Sequence, residues 1–168
     1  MADYFEPDFE GAEDTQSGRF LTFVIGRETY GIEIRCVTEI IGIQKFAEVP
    51  ELPSYIKGII NLRGKIIPVM DVRLRFGKEP MEYTDRTCVI VVELPDSSVG
   101  LIVDRVSEVL SIPEQDIEEL PYITGQLSSC IKNIGKQGGK IVLILDTEKL
   151  LSPDELAGIE EQLENKAE

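Results

Sequence analysis

The residues best suited to specific chemistry lie in one apolar stretch, residues 52–77, with the sequence LPSYIKGIINLRGKIIPVMDVRLRFG. Its centre holds Asn61, Arg63 and Gly64. Gly64 accepts the positive φ of a sharp turn, and the Asn61 side chain can hydrogen-bond back to that turn. Arg63 would therefore stand at a tight corner, where a guanidinium can form a forked pair with a carboxylate. This is the chemistry of recognition.

Residues for catalysis are scarce. The chain has no histidine, which removes histidine-dependent triads and the commonest zinc and haem ligand. Gly138-Gly139-Lys140 lacks the flanking residues of a phosphate-binding loop and predicts a hairpin turn. One acidic cluster lacks calcium-loop spacing and is interpreted as a solvated turn, with acid–base work by paired carboxylates as a formal alternative; its members are Glu114, Asp116, Glu118 and Glu119. The sequence gives no positive argument for an enzyme, a cofactor or a metal.

The net charge is strongly acidic, with 17 Lys and Arg against 31 Asp and Glu, or −14. Residues 1–15 carry −6 and residues 154–168 carry −5, so the middle of the chain carries only −3. The acidic ends repel phosphate backbones and anionic membrane surfaces. For the middle, the exclusion of nucleic acid rests on few basic and aromatic residues, because a single-strand groove needs both. We expect neither nucleic-acid binding nor direct membrane insertion.

The pattern of apolar residues and cysteines indicates a cytoplasmic protein. The longest apolar runs are about five residues, whereas a membrane-spanning helix needs roughly twenty. The chain opens without the basic-then-apolar pattern of a signal peptide. Cys36, Cys88 and Cys130 are odd in number, widely spaced and set among apolar neighbours, so they predict neither disulfides nor a metal site.

Short β segments separated by Gly and Pro turns fill residues 19–151. This pattern of short β segments and turns occurs in both halves of the range, which predicts a mainly β fold of two small closed barrels. We place the first barrel at about residues 19–82 and the second at about residues 83–145, and leave open an exchange of strands between them. Asp71 either continues a strand or caps a short helix.

The two ends of the chain lie outside this β texture. Residues 1–18 are interpreted as a disordered acidic lead-in. Residues 152–168 predict an acidic C-terminal helix with capping residues Ser152, Pro153 and Glu155 and an apolar face formed by Leu156, Ile159 and Leu163. This face predicts a helix that packs over a barrel, with a partner-binding helix as the alternative.

Four strings spread over most of residues 20–151 carry a family resemblance. They are YGIEIRCVTEII (30–41), YIKGIINLRGKIIPVMDVR (55–73), VGLIVDRVSEVLSI (99–112) and KIVLILDTEKLL (140–151). With these strings the chain resembles the CheW family of bacterial chemotaxis coupling proteins, and the NLRG string with its flanking YIKG and IPV is the most specific part. The resemblance implies two five-stranded SH3-like or OB-like barrels that share an apolar interface. This agrees with the two β-rich halves.

The resemblance also implies a function. Members of the family are non-enzymatic adaptors that join methyl-accepting chemoreceptors to the histidine kinase CheA in receptor arrays at the membrane. A receptor's hairpin tip would lie in the groove between the barrels. The CheW-like regulatory domain of the kinase would meet exposed apolar residues at a barrel end.

The resemblance assigns roles to individual residues. Arg63 belongs to the receptor-binding region, and we hypothesise that Glu39 pairs with it and holds the groove in shape. Gly58 has a structural role in the backbone, and Asn61 and Gly64 have structural roles in the turn. The apolar residues that match groove-lining positions of the family are Val37, Ile40, Val103, Val106 and Val109. For each of these the alternative is an ordinary core residue, and for Arg63 it is a structural corner arginine.

Three alternatives stay open. The same fold occurs as the regulatory domain of CheA and as the front part of CheV, although a start methionine without a kinase or receiver domain favours a stand-alone coupler. The chain could serve a receptor system outside chemotaxis, such as one that controls surface motility. A double barrel could also bind a small ligand or an oligonucleotide.

Overall fold

The structure is a computed structural model that describes residues 17–95, 97–120, 129–151, 154–155 and 157–161. Strands dominate these residues, which confirms the mainly β prediction. The strands are β1 (Arg19–Ile25), β2 (Glu28–Glu33), β3 (Val37–Gly42), β4 (Ile56–Leu62), β5 (Lys65–Asp71), β6 (Cys88–Glu93), β7 (Ser98–Val103), β8 (Arg105–Ser111), β9 (Ile117–Glu118), β10 (Ile131–Gln137) and β11 (Lys140–Leu145). The short helical elements are α1 (Val72–Arg75) and the 3-10 turns Ile34–Cys36, Glu114–Asp116 and Thr147–Lys149. Residues 154, 155 and 157–161 are helical.

The strands form two sheets. A six-stranded sheet has the order β8-β1-β2-β11-β10-β9, and a five-stranded sheet has the order β3-β6-β7-β5-β4. Neighbouring strands are antiparallel except for the parallel pairs β2–β11 and β5–β7. The five-stranded sheet is one continuous part of the chain, whereas the six-stranded sheet takes β1 and β2 from its start and β8 to β11 from its end.

The sheets do not divide where the sequence suggested. A boundary near residue 82 would send β6 and β7 to the second barrel, but they pair with β3 and β5 instead. The five-stranded sheet therefore extends to Val103, and the second body takes its first two strands from the beginning of the chain. Pairing between distant strands leaves no local signal, because each strand alone is equally apolar on either assignment.

Strands in both sheets are covered on both faces. In β6, Ile90 packs in a core shared by the two sheets, while Val89 packs in a second cluster within the five-stranded sheet. In β1, Phe23 packs in the shared core, while Phe20 packs in a third cluster within the six-stranded sheet. Two-sided burial explains why these strands are continuous apolar runs without the alternation of a half-exposed strand. The shared core is the predicted apolar interface.

A backbone bridge brings together the two edges of the five-stranded sheet. Beyond β3 the chain forms a pair of hydrogen bonds between Ala47 and Ile59 of β4, each with an N–O distance of 2.9 Å. This close approach leaves no room beside Gly58. A Cβ atom there would run into the carbonyl oxygen of Ala47 and lie 3.0 Å from its carbonyl carbon. Gly58 is thus required where the five-stranded sheet closes.

The chain passes from the five-stranded to the six-stranded sheet through Asp104, the single residue between β7 and β8. The Asp104 carboxylate accepts hydrogen bonds from Arg73 of α1, from Nε at 2.9 Å and from Nη2 at 2.8 Å. It also accepts the backbone N–H of Gly26, in the β1–β2 turn, at 2.8 Å. We call these three residues the clasp. It joins elements of both sheets at one carboxylate.

Asp71 caps the helix that presents Arg73. Its carboxylate accepts the N–H of Leu74 at 3.4 Å and the hydroxyl of Tyr83 at 2.8 Å, so Asp71 is paired although only 4% exposed. Burial and the hydrogen bond to Asp71 raise the pKa of Tyr83. Asp71 is the last residue of β5 and also caps α1, so both readings of this residue are found.

The C-terminal part of the chain packs on the shared core. Leu150, Leu151 and Ile159 are all at most 1% exposed. Arg75 donates from Nε to the carbonyl of Leu150 at 2.7 Å, and its guanidinium lies 5.5 Å from the centre of the Tyr55 ring. Ile159 is therefore buried as expected for a helix that packs over the barrels. The predicted lead-in up to residue 16 and the helix residues Ser152, Pro153, Leu156 and Leu163 lie outside the described residues.

The closure at Gly58 can be tested by adding one methyl group. Gly58→Ala should lower the free energy of unfolding by about 1–3 kcal/mol, because the new Cβ overlaps the Ala47 backbone. Gly42→Ala is the matched control: it adds the same atom at the end of β3, where nothing lies within 4 Å, and should change stability by no more than about 0.5 kcal/mol. Urea unfolding of both variants measures the difference. Equal effects would contradict the closure argument.

The clasp can be tested by pH. Burial disfavours the charged form of Asp104, but the hydrogen bonds from Arg73 and Gly26 outweigh it and hold the pKa of Asp104 below its ordinary value. A carboxyl with a lowered folded-state pKa stabilises the fold fully above its unfolded pKa of about 3.9. That stabilisation disappears as the pH falls through the folded-state value.

The stability difference between wild type and Asp104→Asn should therefore stay constant from about pH 7 to about pH 5 and shrink below about pH 4. Urea unfolding across this range measures it. A difference that is as large at about pH 3 as at neutral pH would show that the charge of Asp104 contributes nothing.

Candidate protein-binding surface

The tip of the β4–β5 hairpin is a two-residue turn. Leu62 and Lys65 pair across it, and the two central residues, Arg63 and Gly64, have φ angles of 54° and 86°. Positive φ at both positions is the geometry whose twist matches a β-hairpin. The Asn61 Oδ1 atom accepts the N–H of Gly64 at 2.9 Å and holds the turn closed. Arg63 is thus kept at the corner in a backbone conformation that is uncommon for a non-glycine residue.

Arg63 forms a forked ion pair with Glu39. Its Nη2 donates to Oε1 at 2.9 Å, and its Nη1 donates to Oε2. Glu39 lies on β3 and Arg63 follows β4, so the pair connects the two end strands of the five-stranded sheet. The hydrogen bond from Arg63 lowers the pKa of Glu39, and Glu39 in turn raises the pKa of Arg63. The carboxylate is therefore ionised over a wider pH range than usual.

Exposure differs between the two partners of this pair. The Arg63 side chain is 74% exposed, whereas the Glu39 side chain is 23% exposed. Within the described residues, the forked pair uses two of the five donors of the guanidinium. Glu39 thus anchors a cation whose remaining donors face solvent. Such an arrangement can accept a carboxylate or carbonyl from another molecule.

The predicted apolar contact residues do not all reach the surface. Ile40 on β3 and Val109 on β8 are exposed, at 43% and 39%. Val37 and Val106 are half-buried and pack against the shared core. Val103 is 1% exposed within that core, which fits the alternative of an ordinary core residue. It faces the core because β7 has a neighbour on each side and is covered on both faces.

The exposed candidates occupy the outermost strands of their sheets. β3 ends the order of the five-stranded sheet, and β8 ends that of the six-stranded sheet. Val37 of β3 and Val106 of β8 both pack against the shared core. Within the described residues, β3 pairs with β6 alone and β8 pairs with β1 alone. The arrangement suits the docking of another protein.

One exposed apolar residue beside Arg63 was not among the predicted contacts. Ile66 of β5 is 46% exposed and pairs in register with Asn61 of β4. An isoleucine within an apolar run has no sequence feature that tells an outward position from an inward one. The register of the hairpin supplies this information, since it pairs Ile66 with Asn61 next to the turn.

The described residues contain neither a cluster of metal ligands nor a membrane-spanning helix. They bring together no group of three side chains suited to hold a metal ion. No helix among them has the length and apolarity needed to cross a membrane. An open cavity of about 550 Å³ lies on the six-stranded sheet, with Phe20 and Ile112 on its wall and Glu33 and Lys132 at its rim. It contains neither member of the Arg63–Glu39 pair.

Comparison with known proteins gives a consistent result. The family model described as the CheW-like domain matches residues 19–155. The chemotaxis protein CheW of Klebsiella aerogenes is 37% identical over 147 residues, which cover 87% of this chain and 89% of that protein. Protein PilI of Pseudomonas aeruginosa is 28% identical over 123 residues, covering 73% of this chain and 69% of PilI.

A solved structure matches the fold as well. The crystal structure of the scaffolding protein TtCheW from Thermoanaerobacter tengcongensis superposes with a TM-score of 0.77 at 36% identity, covering 82% of this chain and 94% of that one. A scaffolding relative agrees with the expectation of an adaptor without enzymatic activity. The family model, the sequence identity and the fold all indicate the same family as the sequence strings around the Arg63 turn. The chain therefore belongs to the CheW family.

Proposed function

We propose that this protein is a cytoplasmic adaptor that couples methyl-accepting chemoreceptors to the histidine kinase CheA in membrane-associated arrays. The observation that carries the proposal is the Arg63–Glu39 pair at an exposed hairpin corner, within a chain of the CheW family. An adaptor needs fixed recognition groups and no reactive ones. Arg63 is such a group, because its backbone and its guanidinium are both held by local contacts.

The proposed receptor surface combines Arg63 with the exposed residues of the outer strands, Ile40 on β3 and Val109 on β8. A helical hairpin tip presents apolar residues along one face and polar residues beside them. Ile40 and Val109 would contact the apolar face. The free donors of Arg63 would bind an acidic or carbonyl group at its border, which adds orientation to an otherwise non-directional contact.

The proposed kinase surface lies on the six-stranded sheet at the β10–β11 hairpin, away from its outer strand β8. Ile141, in the β10–β11 hairpin, is 60% exposed, and Arg27 and Lys140 line the same depression. CheA would present an apolar barrel end to it. Two separate faces let one molecule hold both partners at once. Each contact needs only modest affinity, because an array adds many linked contacts.

Two other functions share parts of this geometry. A coupler for a receptor system with another output would use the same residues and differ only in its partners, and the genes that neighbour this one would identify that system. A double barrel that binds oligonucleotides would need a basic groove with stacked aromatic side chains. A titration with single-stranded DNA at low salt separates this class, and no binding is expected of an adaptor.

The receptor contact is tested by charge reversal at the corner. Arg63→Glu should weaken binding of a receptor cytoplasmic fragment at least about tenfold, because it removes the exposed cation and repels Glu39. Lys136→Glu is the matched control: Lys136 is 59% exposed and pairs with Glu118 within the six-stranded sheet at 2.6 Å. Isothermal titration with the full chain measures both variants. Wild-type affinity in Arg63→Glu would contradict the receptor role.

The coupling function is tested by reconstitution. Receptor fragments on vesicles, CheA and this protein should together give higher kinase activity than any two of them. Arg63→Glu should remove this gain, while Ile141→Lys should reduce co-sedimentation of CheA and leave receptor binding intact. Kinase activity that is the same with and without the protein would exclude coupling. Loss of receptor binding in Ile141→Lys would contradict the separation of the two faces.

A further inference from the structure

Among the described strands, β7 and β8 are the consecutive pair that lie in different sheets with only one residue, Asp104 of the clasp, between them. β7 ends at Val103 in the five-stranded sheet, and β8 begins at Arg105 in the six-stranded sheet. The backbone N–H of Asp104 donates to the carbonyl of Val24 in β1 at 3.2 Å. The orientation of Asp104 thus sets both the start of β8 and its entry into the six-stranded sheet.

Contacts to the Asp104 side chain come from both sheets. Arg73 stands on α1, directly after β5 of the five-stranded sheet, and Gly26 is in the turn of the six-stranded sheet. The guanidinium is fixed further by a hydrogen bond from Nη1 to the carbonyl of Glu79 at 3.1 Å. Two donors of Arg73 and one of Gly26 meet one carboxylate. This fork restricts the rotation as well as the distance of the two sheets.

The burial of the clasp separates it from the surface ion pairs. The Arg73 and Asp104 side chains are 14% and 19% exposed, whereas those of Lys136 and Glu118 are 59% and 56% exposed. Exposed pairs contribute little, since water screens them and long side chains lose freedom. A largely buried charge that loses its partner is costly, so the clasp resists being opened.

The shared core alone would still allow the two sheets to slide relative to each other. Apolar contact is non-directional, so two packed layers can shear by small amounts without loss of buried area. β3 and β8 lie on different sheets, so such a shear would shift Val106 and Val109 relative to Ile40 and Arg63. Directional contacts between the sheets prevent it. One is the clasp, and another is the ion pair at 2.6 Å between Lys78, after α1, and Glu28 of β2, whose side chains are 28% and 46% exposed.

We propose that Arg73 and Asp104 are positioning residues, which fix the angle between the two sheets and thereby fix the position of β8 relative to β3. The final step, that this preserves a composite receptor surface, rests on the proposed function. The first step concerns the free protein alone. The two steps are therefore measured separately.

The first step is tested by residual dipolar couplings of backbone amides in the full chain. In the wild type, couplings from both sheets should fit one alignment tensor. In Arg73→Lys, which keeps the charge but loses the fork, and in Asp104→Asn, each sheet should fit its own tensor and the common fit should be lost. The hydrogen-exchange rate of the Gly26 amide should rise on the order of tenfold, as expected when one hydrogen bond is lost.

Lys136→Gln is the control and should keep the common tensor. A common tensor in both clasp variants, with Gly26 exchange unchanged, would overturn the proposal. If Asp104→Asn does not fold, as its amide spectrum would show, Arg73→Lys decides the result, because it removes only the forked geometry.

The second step is tested by binding. If the clasp positions the receptor surface, both variants should bind the receptor fragment several-fold more weakly, and Arg63→Glu should remain the stronger defect. Separate tensors with unchanged receptor affinity would overturn the composite surface and leave the sheet angle supported. If wild type itself binds no receptor fragment, the proposed function fails, while the tensor result still stands or falls by its own measurement.

Discussion

Burial of the central strands on both faces is the constraint on which the rest of this structure depends. Each sheet carries a small cluster of its own on one face, and its other face contributes to one core between the sheets. Such a strand has little surface to offer, as Val103 shows. Recognition is therefore confined to outer strands and hairpin tips. The position of Arg63 at a tip is thus a consequence of how the core is built.

The ion pairs at the outer strands, turns and hairpin tips fix the geometry that apolar burial leaves free. Apolar burial favours closeness but fixes neither rotation nor register, whereas a forked ion pair fixes both. Arg63 and Glu39 join the two ends of the five-stranded sheet, while Arg73 and Asp104 join that sheet to the other one. The first pair is largely exposed on its arginine side and the second is largely buried. One arginine is thereby open to a partner and the other is committed to the fold.

The sequence predicted what depends on local chemistry. The turn at Asn61 and Gly64 follows from two residue types at a fixed spacing, and the mainly β fold follows from the apolar segments. The forked pair was expected at Arg63, and the choice of Glu39 came from the family resemblance. Strand partners were not predictable, because β6 is equally apolar whichever sheet receives it. The clasp was missed for the same reason: Arg73, Asp104 and Gly26 are far apart in the chain, and pairing alone brings them together.

The order in which the strands are made differs from the order in which they pair. β1 and β2 leave the ribosome first, but β2 lies beside β11, the last strand. The five-stranded sheet is continuous and can form while synthesis proceeds, whereas the first hairpin must wait with an apolar face uncovered. Contacts of such long sequence separation slow folding and expose the waiting segment to aggregation. A truncation near the C-terminal end would therefore harm the first strands made, although they lie at the opposite end of the chain.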